Sequence, residues 1–478
     1  MKSIKLALLG GAALAVTAAG AQADDLDALK AQIEALNARV AAMEAAPSVP
    51  AGYQLLTISE GELPQVPGLG MKRGDMLSYG NKATVISVMP TADAPAGTTI
   101  TWTGQVRAGV VYNSFDRDVD LSFEDPGDAN EFMGGSWLNS EDVDTDITIS
   151  NDDDDIDVPA QARLRVVGTT DTAVGEVGVA IEFRGDFNGT GRAHADIKEA
   201  WGWWAMTPEL TFGGGYTASL GDIWYGYDGA CSCYWVDNAD MAFNPGDTSQ
   251  LRLTYASGPL SMAIAVEDAG ANDGYGEDDD NINGDKLGVA GEIKYSSDTI
   301  SGEISGVYRA VDEDEYWDVD SLWQIGAGLG FALGDVANLS LAAAMGEGPA
   351  TKVEDGDIVD ASYVNNKYWG ITALASFNLT DEVHAELAGG YKHRETDESG
   401  WVYSGGDWWE GSGIDYDTYA IMGGIYYTPV EQLTIGVEGE WYTVDAGFDL
   451  TEQYSGDKVD IDVQSDTFYA AFTGVWRF

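Results

Sequence analysis

Three histidines (His194, His384 and His393) and two cysteines (Cys231 and Cys233) are all the imidazole and thiol chemistry available to this chain. Nucleophilic catalysis needs an activated Ser or Cys beside a base that a third group orients. No G-x-S-x-G elbow, Walker loop or H-E-x-x-H occurs. His384 and His393 flank the 383–393 segment without an evident Ser and Asp partner, so the residues do not point to an enzyme. Acids are abundant. Asp152 to Asp155 and Asp278 to Asp280 offer the oxygen ligands that Ca²⁺ or Mg²⁺ would need at a surface, but neither run has EF-hand spacing. Unpaired solvated acids are the plainer reading, and no other cofactor is expected.

The charge balance excludes a partner class. Asp and Glu number 80 against 24 Lys and Arg, a formal net charge of −56, and such a field repels nucleic acid. At 44% hydrophobic the chain is too apolar for disorder. Beyond the N-terminus no run of about 18 apolar residues occurs, so no helix is expected to span a bilayer. The 60 Gly, 15 Trp and 23 Tyr suit short strands and tight turns. Strands cross a bilayer only as a closed barrel, because lipid cannot satisfy an open sheet edge.

Residues 1–23 read as a signal peptide: Lys2 and Lys5, an apolar stretch, then Ala21-Gln22-Ala23 as the cleavage site. Over 24–46, Leu26, Leu29, Ile33, Leu36, Val40 and Met43 form a heptad seam stopped by Pro47 and Pro50. The spacing predicts a short periplasmic coiled-coil helix, an oligomeric stalk in preference to a lone helix lying on the barrel. Residues 47–98 are a linker, extra periplasmic strands or a plug, and the residues do not choose. From 99 to 478 short segments alternate apolar with small or charged residues, as in Val177, Val179, Ile181 and Phe183 against Gly178, Ala180, Glu182 and Arg184. Short turns (168–173, 207–209, 257–259, 296–298, 380–382, 428–431) alternate with long acidic loops (113–159, 219–247, 270–284, 311–320, 348–365, 395–413, 447–463). The expected fold is all-β: a transmembrane barrel of about sixteen antiparallel strands with every long loop on one side. Face parity turns Arg107, Arg163, Arg165, Arg184 and Arg252 into the lumen. Trp201 and Trp203 share a face and are assigned to an interfacial girdle. Export to an oxidising compartment makes Cys231-Ser232-Cys233 a small disulfide, since two thiolates with no nearby His leave a zinc site incomplete.

The last strand, DTFYAAFTGVWRF, ends with Gly474, Trp476 and Phe478 on one face, the mark of a chain handed to the barrel assembly machinery. With that ending, the signal segment, the first strand TTITWTGQVRAGVVY (98–112) and the barrel layout, the chain resembles a Gram-negative general porin, closest to the alphaproteobacterial porins. The resemblance implies a homotrimer in the outer membrane, amid lipid and lipopolysaccharide, passing ions and small hydrophilic solutes. It also implies a third external loop folded inward. That loop's place is taken by 219–247, whose Asp222, Asp228, Asp237 and Asp240 would face the wall arginines across a constriction. The acidic mouth argues for cation preference. The alternatives are a structural protein whose stalk tethers the membrane to the cell wall, and a substrate-specific channel.

Overall fold

The computed structural model describes residues 56–62, 66–67, 69, 82–88, 97–123, 146–187, 193–224, 227–235, 245–268, 287–310, 321–349, 365–396, 401–404, 407–452 and 456–478. The signal segment and the expected stalk at 24–46 lie outside them. Within the described residues the chain is entirely strand and connection, in chain order β1 (Leu56–Glu62), β2 (Lys82–Val88), β3 (Thr98–Phe123), β4 (Asp146–Asp157), β5 (Ala160–Thr172), β6 (Gly175–Phe187), β7 (Ala193–Ala205), β8 (Leu210–Ala218), β9 (Asp247–Ser257), β10 (Leu260–Asp268), β11 (Leu287–Ser296), β12 (Ile300–Ala310), β13 (Ser321–Leu333), β14 (Ala337–Pro349), β15 (Asn365–Asn378), β16 (Val383–Thr396), β17 (Trp401–Ser404), β18 (Asp407–Gly411), β19 (Asp415–Val430), β20 (Leu433–Glu452) and β21 (Lys458–Arg477).

Sixteen of these strands, β3, β5–β16 and β19–β21, pair antiparallel with their neighbours. The ring closes where β21 meets β3 over Val459↔Phe123 to Arg477↔Gln105. Closure leaves no edge in the spanning region, as a bilayer demands. Even strand number brings both ends of the barrel to the turn side, where Gly104 and Phe478 exchange backbone hydrogen bonds of 3.4 and 3.1 Å. Gly104 is small for a reason: a Cβ there would stand 2.2 Å from the Phe478 ring.

The outer face carries exposed aliphatic side chains such as Ile264, Val289, Ile304, Ile325 and Leu341. Exposed aromatics ring it at both ends: Trp102, Trp204, Tyr255, Tyr295, Tyr427 and Trp476 at the turn side, and Tyr308, Trp369, Tyr419, Trp441 and Phe468 at the other. An apolar band between two aromatic girdles is the lipid-facing surface of a membrane barrel. The girdle assignment fails for Trp201 and Trp203, which are 2% and 4% exposed and point inward. Their register partners Ala180 and Gly178 share the inner face with Glu182. Trp204 is the lipid-side member of the group. Shared parity alone cannot say which face is which.

Several expected loops are strands. β3 and β4 pair from Ser122↔Asp146 down to Val111↔Asp157, and β20 and β21 pair up to Thr451↔Lys458, so the described residues of 113–159 and 447–463 are mostly ladder. A hairpin, β17–β18, stands within 395–413 and pairs with β20. The sheet reverses polarity as it leaves the membrane. Leu121, Phe123, Phe448, Leu450, Val459 and Ile461 now face inward around fully buried Trp409, while Asp116, Asp118, Asp120, Asp460 and Asp462 face outward. Outside the lipid, a sheet buries its apolar face as any soluble sheet does. A short connection at 334–336 between β13 and β14 completes the turn set.

The 47–98 segment supplies β1 and β2, a hairpin that extends the sheet below the C-terminus through Thr84↔Trp102 to Val88↔Thr98. Between its strands, Val66 is 6% exposed and packs with Leu69 against Val167, Ala180, Trp201 and Trp203.

Candidate functional site

The lumen is organised by the connection between β8 and β9. Its described residues from Ser219 to Trp224 and from Tyr227 to Trp235 lie along the inner wall, and Leu220, Ile223, Trp224 and Tyr234 are buried. A chain crossing a barrel without secondary structure has backbone N–H groups to satisfy. Wall glutamates do so in sequence. Glu267 on β10 accepts from Leu220 N at 3.0 Å and from the Ser219 hydroxyl at 3.0 and 2.9 Å. Glu303 on β12 accepts from Trp224 N at 3.2 Å, and Glu292 on β11 from Trp224 Nε1 at 2.7 Å. Farther round, Glu386 on β16 accepts from Ser232 N at 2.7 Å. Glu438 on β20 accepts from Tyr234 N and Trp235 N at 2.8 and 2.9 Å. Each of these bonds gives a donor of the segment the acceptor that it would otherwise lack.

Hydroxyls, an amide and one arginine finish the attachment. The Gly221 carbonyl accepts from Ser305 Oγ at 3.2 Å and Gln324 Nε2 at 2.8 Å, and the Asp228 carbonyl from Thr372 Oγ1 at 2.5 Å. Arg477 donates to the Tyr234 hydroxyl at 2.7 Å. Glycines on β13 make the floor: a Cβ at Gly328 would stand 2.3 Å from the Tyr227 carbonyl oxygen. Gly229 adopts a left-handed backbone, φ +67°, close against Thr372. Cys231 and Cys233 are bonded to each other with Cα atoms 5.3 Å apart, and Cys231 packs among Leu374, Ala388, Ala420 and Met422. The disulfide therefore sits between the Asp228 and Glu438 attachments.

The segment covers the wall from β10 to β21. The strands it leaves, β3 and β5–β7, carry most of the arginines assigned to the lumen. Arg163 and Arg184 are direct register partners, and Gln105 and Gln161 set Arg107 beside Arg163. Arg163 lies 3.7 Å from Glu182, Arg165 2.9 Å from Glu199, and Arg184 2.7 Å from Asp186. The Arg107 guanidinium lies over the Trp235 ring, 4.5 Å from its centroid. Loop and basic wall meet at that contact.

Arg252 stands apart, 1% exposed at the root of the segment. Its Nη2 donates to the Ala218 carbonyl at 3.0 Å and its guanidinium lies 5.2 Å from the Trp201 ring centroid. Asp222 and Asp228 are 7% and 3% exposed, and the Asp228 carboxylate accepts from Ala230 N at 3.4 Å. Asp237, Asp240 and Asp278 to Asp280 lie outside the described residues. Asp152 to Asp155 are exposed on β4, where Tyr112 donates to Asp154 at 2.9 Å. Hydrogen bonds from Ser114 and Tyr112 hold that carboxyl below its ordinary pKa.

The residues that sequence reasoning passed over are the wall glutamates. Each occupies an inward parity position, as in VED (266–268), GEI (291–293 and 302–304), AEL (385–387) and VEG (437–439). Parity finds their face. Nothing local says that their partner is a backbone far along the chain.

No family model matches the sequence, and no curated protein does. Among solved structures, the chain is similar to OmpF of Salmonella typhi in complex with daunomycin (12% identity over 78% of this chain and 97% of that one, TM-score 0.46). It is also similar to the outer membrane channel DcaP of Acinetobacter baumannii (14%, 82% and 99%, TM-score 0.44) and an anion-selective porin from Comamonas acidovorans (12%, 78% and 99%, TM-score 0.43). At these scores the likeness adds nothing to the closed register from which the barrel is read.

Proposed function

We propose that this chain is an outer-membrane porin, a water-filled channel for passive diffusion of ions and small hydrophilic solutes. The observation that carries the reading is the Ser219–Trp235 segment, fixed to the inner wall from β10 to β21 and leaving an arginine-lined face beside it. A segment held by so many buried hydrogen bonds narrows a pore permanently. Arg107, Arg163 and Arg184 form the basic side of the constriction in this reading, and the acidic extension above the membrane forms the mouth. Acids at the mouth concentrate cations, and cation preference follows where that field outweighs the arginines. Salt screens the mouth within about 8 Å at physiological strength.

The finer parts of the reading, membership of the alphaproteobacterial porins, a homotrimer, lipopolysaccharide contact and delivery by the barrel assembly machinery, are supported by the 98–112 strand and the GVWRF ending. Liposome swelling with uncharged sugars of increasing size tests the central reading. Uptake that falls smoothly with size and does not saturate is expected. Saturation by one sugar would favour a substrate-specific channel, and absence of swelling from a folded barrel would favour a structural protein.

A further inference from the structure

We propose that His393, Glu395 and Asp415 form a site for a borderline divalent cation of the Zn²⁺ class on the outer face of the barrel. The three residues lie on adjacent strands, β16 and β19, where Glu395 pairs directly with Asp415 and His393 with Asp417. One ring nitrogen and one oxygen from each carboxylate lie within 4.8 Å of one another. Ligand bonds of about 2.0–2.2 Å put the atoms around one zinc ion roughly 3.4 Å apart, a small rotamer adjustment away. An imidazole with two carboxylates suits Zn²⁺, Ni²⁺ or Cu²⁺. Ca²⁺ and Mg²⁺ prefer oxygen alone.

The surroundings fit a ligand histidine. His393 Nδ1 lies 3.0 Å from Asp417 Oδ1; in the tautomer that donates Nδ1–H to this carboxylate, the Nε2 lone pair is the one left for a cation. Asp417 is itself fixed by the Tyr391 hydroxyl, which donates to the same oxygen at 2.5 Å. A carboxylate behind the imidazole is the outer-shell arrangement that sets tautomer and basicity in metal sites. Trp369 packs near the ring from below, centroids 6.2 Å apart. Two carboxylates facing each other across a register repel. Lys367 is the other register partner of Glu395, and a cation between the two carboxylates would relieve their repulsion.

The site also has a place in the fold. β16 ends at Thr396 and β19 begins at Asp415, so an ion here ties the two strands where the β17–β18 hairpin emerges. Clipping the ends of a connection lowers the entropy of its open forms.

Titration calorimetry of the folded, detergent-solubilised barrel with ZnCl₂ tests this, with MgCl₂ and CaCl₂ as competitors. One site per chain is expected, undisturbed by millimolar Mg²⁺ or Ca²⁺. His393→Ala should abolish it, and Asp417→Asn should weaken it by roughly 10- to 100-fold. His384→Ala and His194→Ala should change nothing. Retained heat-modifiability of His393→Ala excludes misfolding as the cause of its loss. Binding that survives His393→Ala, is lost in either control variant, or is displaced by Mg²⁺ would overturn the proposal.

Discussion

The inner wall has two halves made from the same strand chemistry and used in opposite ways. From β10 to β21 four buried glutamates, Glu267, Glu303, Glu386 and Glu438, accept backbone N–H groups of the Ser219–Trp235 segment. From β3 to β7 its arginines pair with wall carboxylates, with Gln161 and with the ring of Trp235. A carboxylate on a lumen wall is thus not by itself a selectivity element. It becomes one only when no backbone has claimed it, and the arginine face meets that condition more fully than the glutamate face.

The contrast breaks most severely by steric means. Gly328→Leu places a side chain where the Tyr227 carbonyl now lies, so the segment must lift from β13 and release the neighbouring Gln324 and Thr372 contacts. Single-channel recordings should show a new conductance level and faster fluctuation. A trace identical to wild type would mean that the segment does not bound the pore. Glu438→Ala is milder. Two N–H groups, one buried and one half-buried, lose their acceptor at about 1–3 kcal/mol each, which makes a detached substate at least ~30-fold more populated. The expected sign is flicker, with the main conductance level retained.

The smallest effect lies above the membrane, where acids face water. Partial burial comes first, and a hydrogen bond that protonated Asp449 donates to Asp460 second, in raising the Asp449 pKa above its ordinary value. A raised carboxyl stabilises the fold in its protonated form. Its contribution is complete below about 3.9 and is lost as pH rises through the raised value. Asp449→Asn should therefore gain slightly in resistance to external protease at pH 8 and show no gain near pH 4. Equal behaviour of variant and wild type at both values would remove the sign argument.

Much of the barrel was legible because period-two alternation reports faces directly. Val177 to Arg184 reads correctly, and so does the GVWRF end, whose Trp476 stands in the turn-side girdle. The acidic stretches misled for a physical reason. DVDLSF and KVDIDV alternate as strictly as any membrane strand, but with Asp in place of the lipid-facing residue, and their charge suggested loop. Trp201 and Trp203 misled in the opposite direction. Inward tryptophan needs a flat bed, which Gly213 and Gly178 provide on neighbouring strands, and a cover, which Val66 provides from far upstream. The arginines could be placed by parity. The glutamate–backbone attachment could not, because its donors belong to every residue type alike.

The most direct test of a pore governed by an acidic mouth in series with an arginine-lined face is the reversal potential under a KCl gradient. Wild type and the Arg107→Gln, Arg163→Gln, Arg184→Gln triple variant should be compared in planar bilayers. The account predicts a cation-directed reversal in wild type that grows more cation-directed in the variant. An identical reversal in both proteins, or no current through a folded barrel, would contradict it.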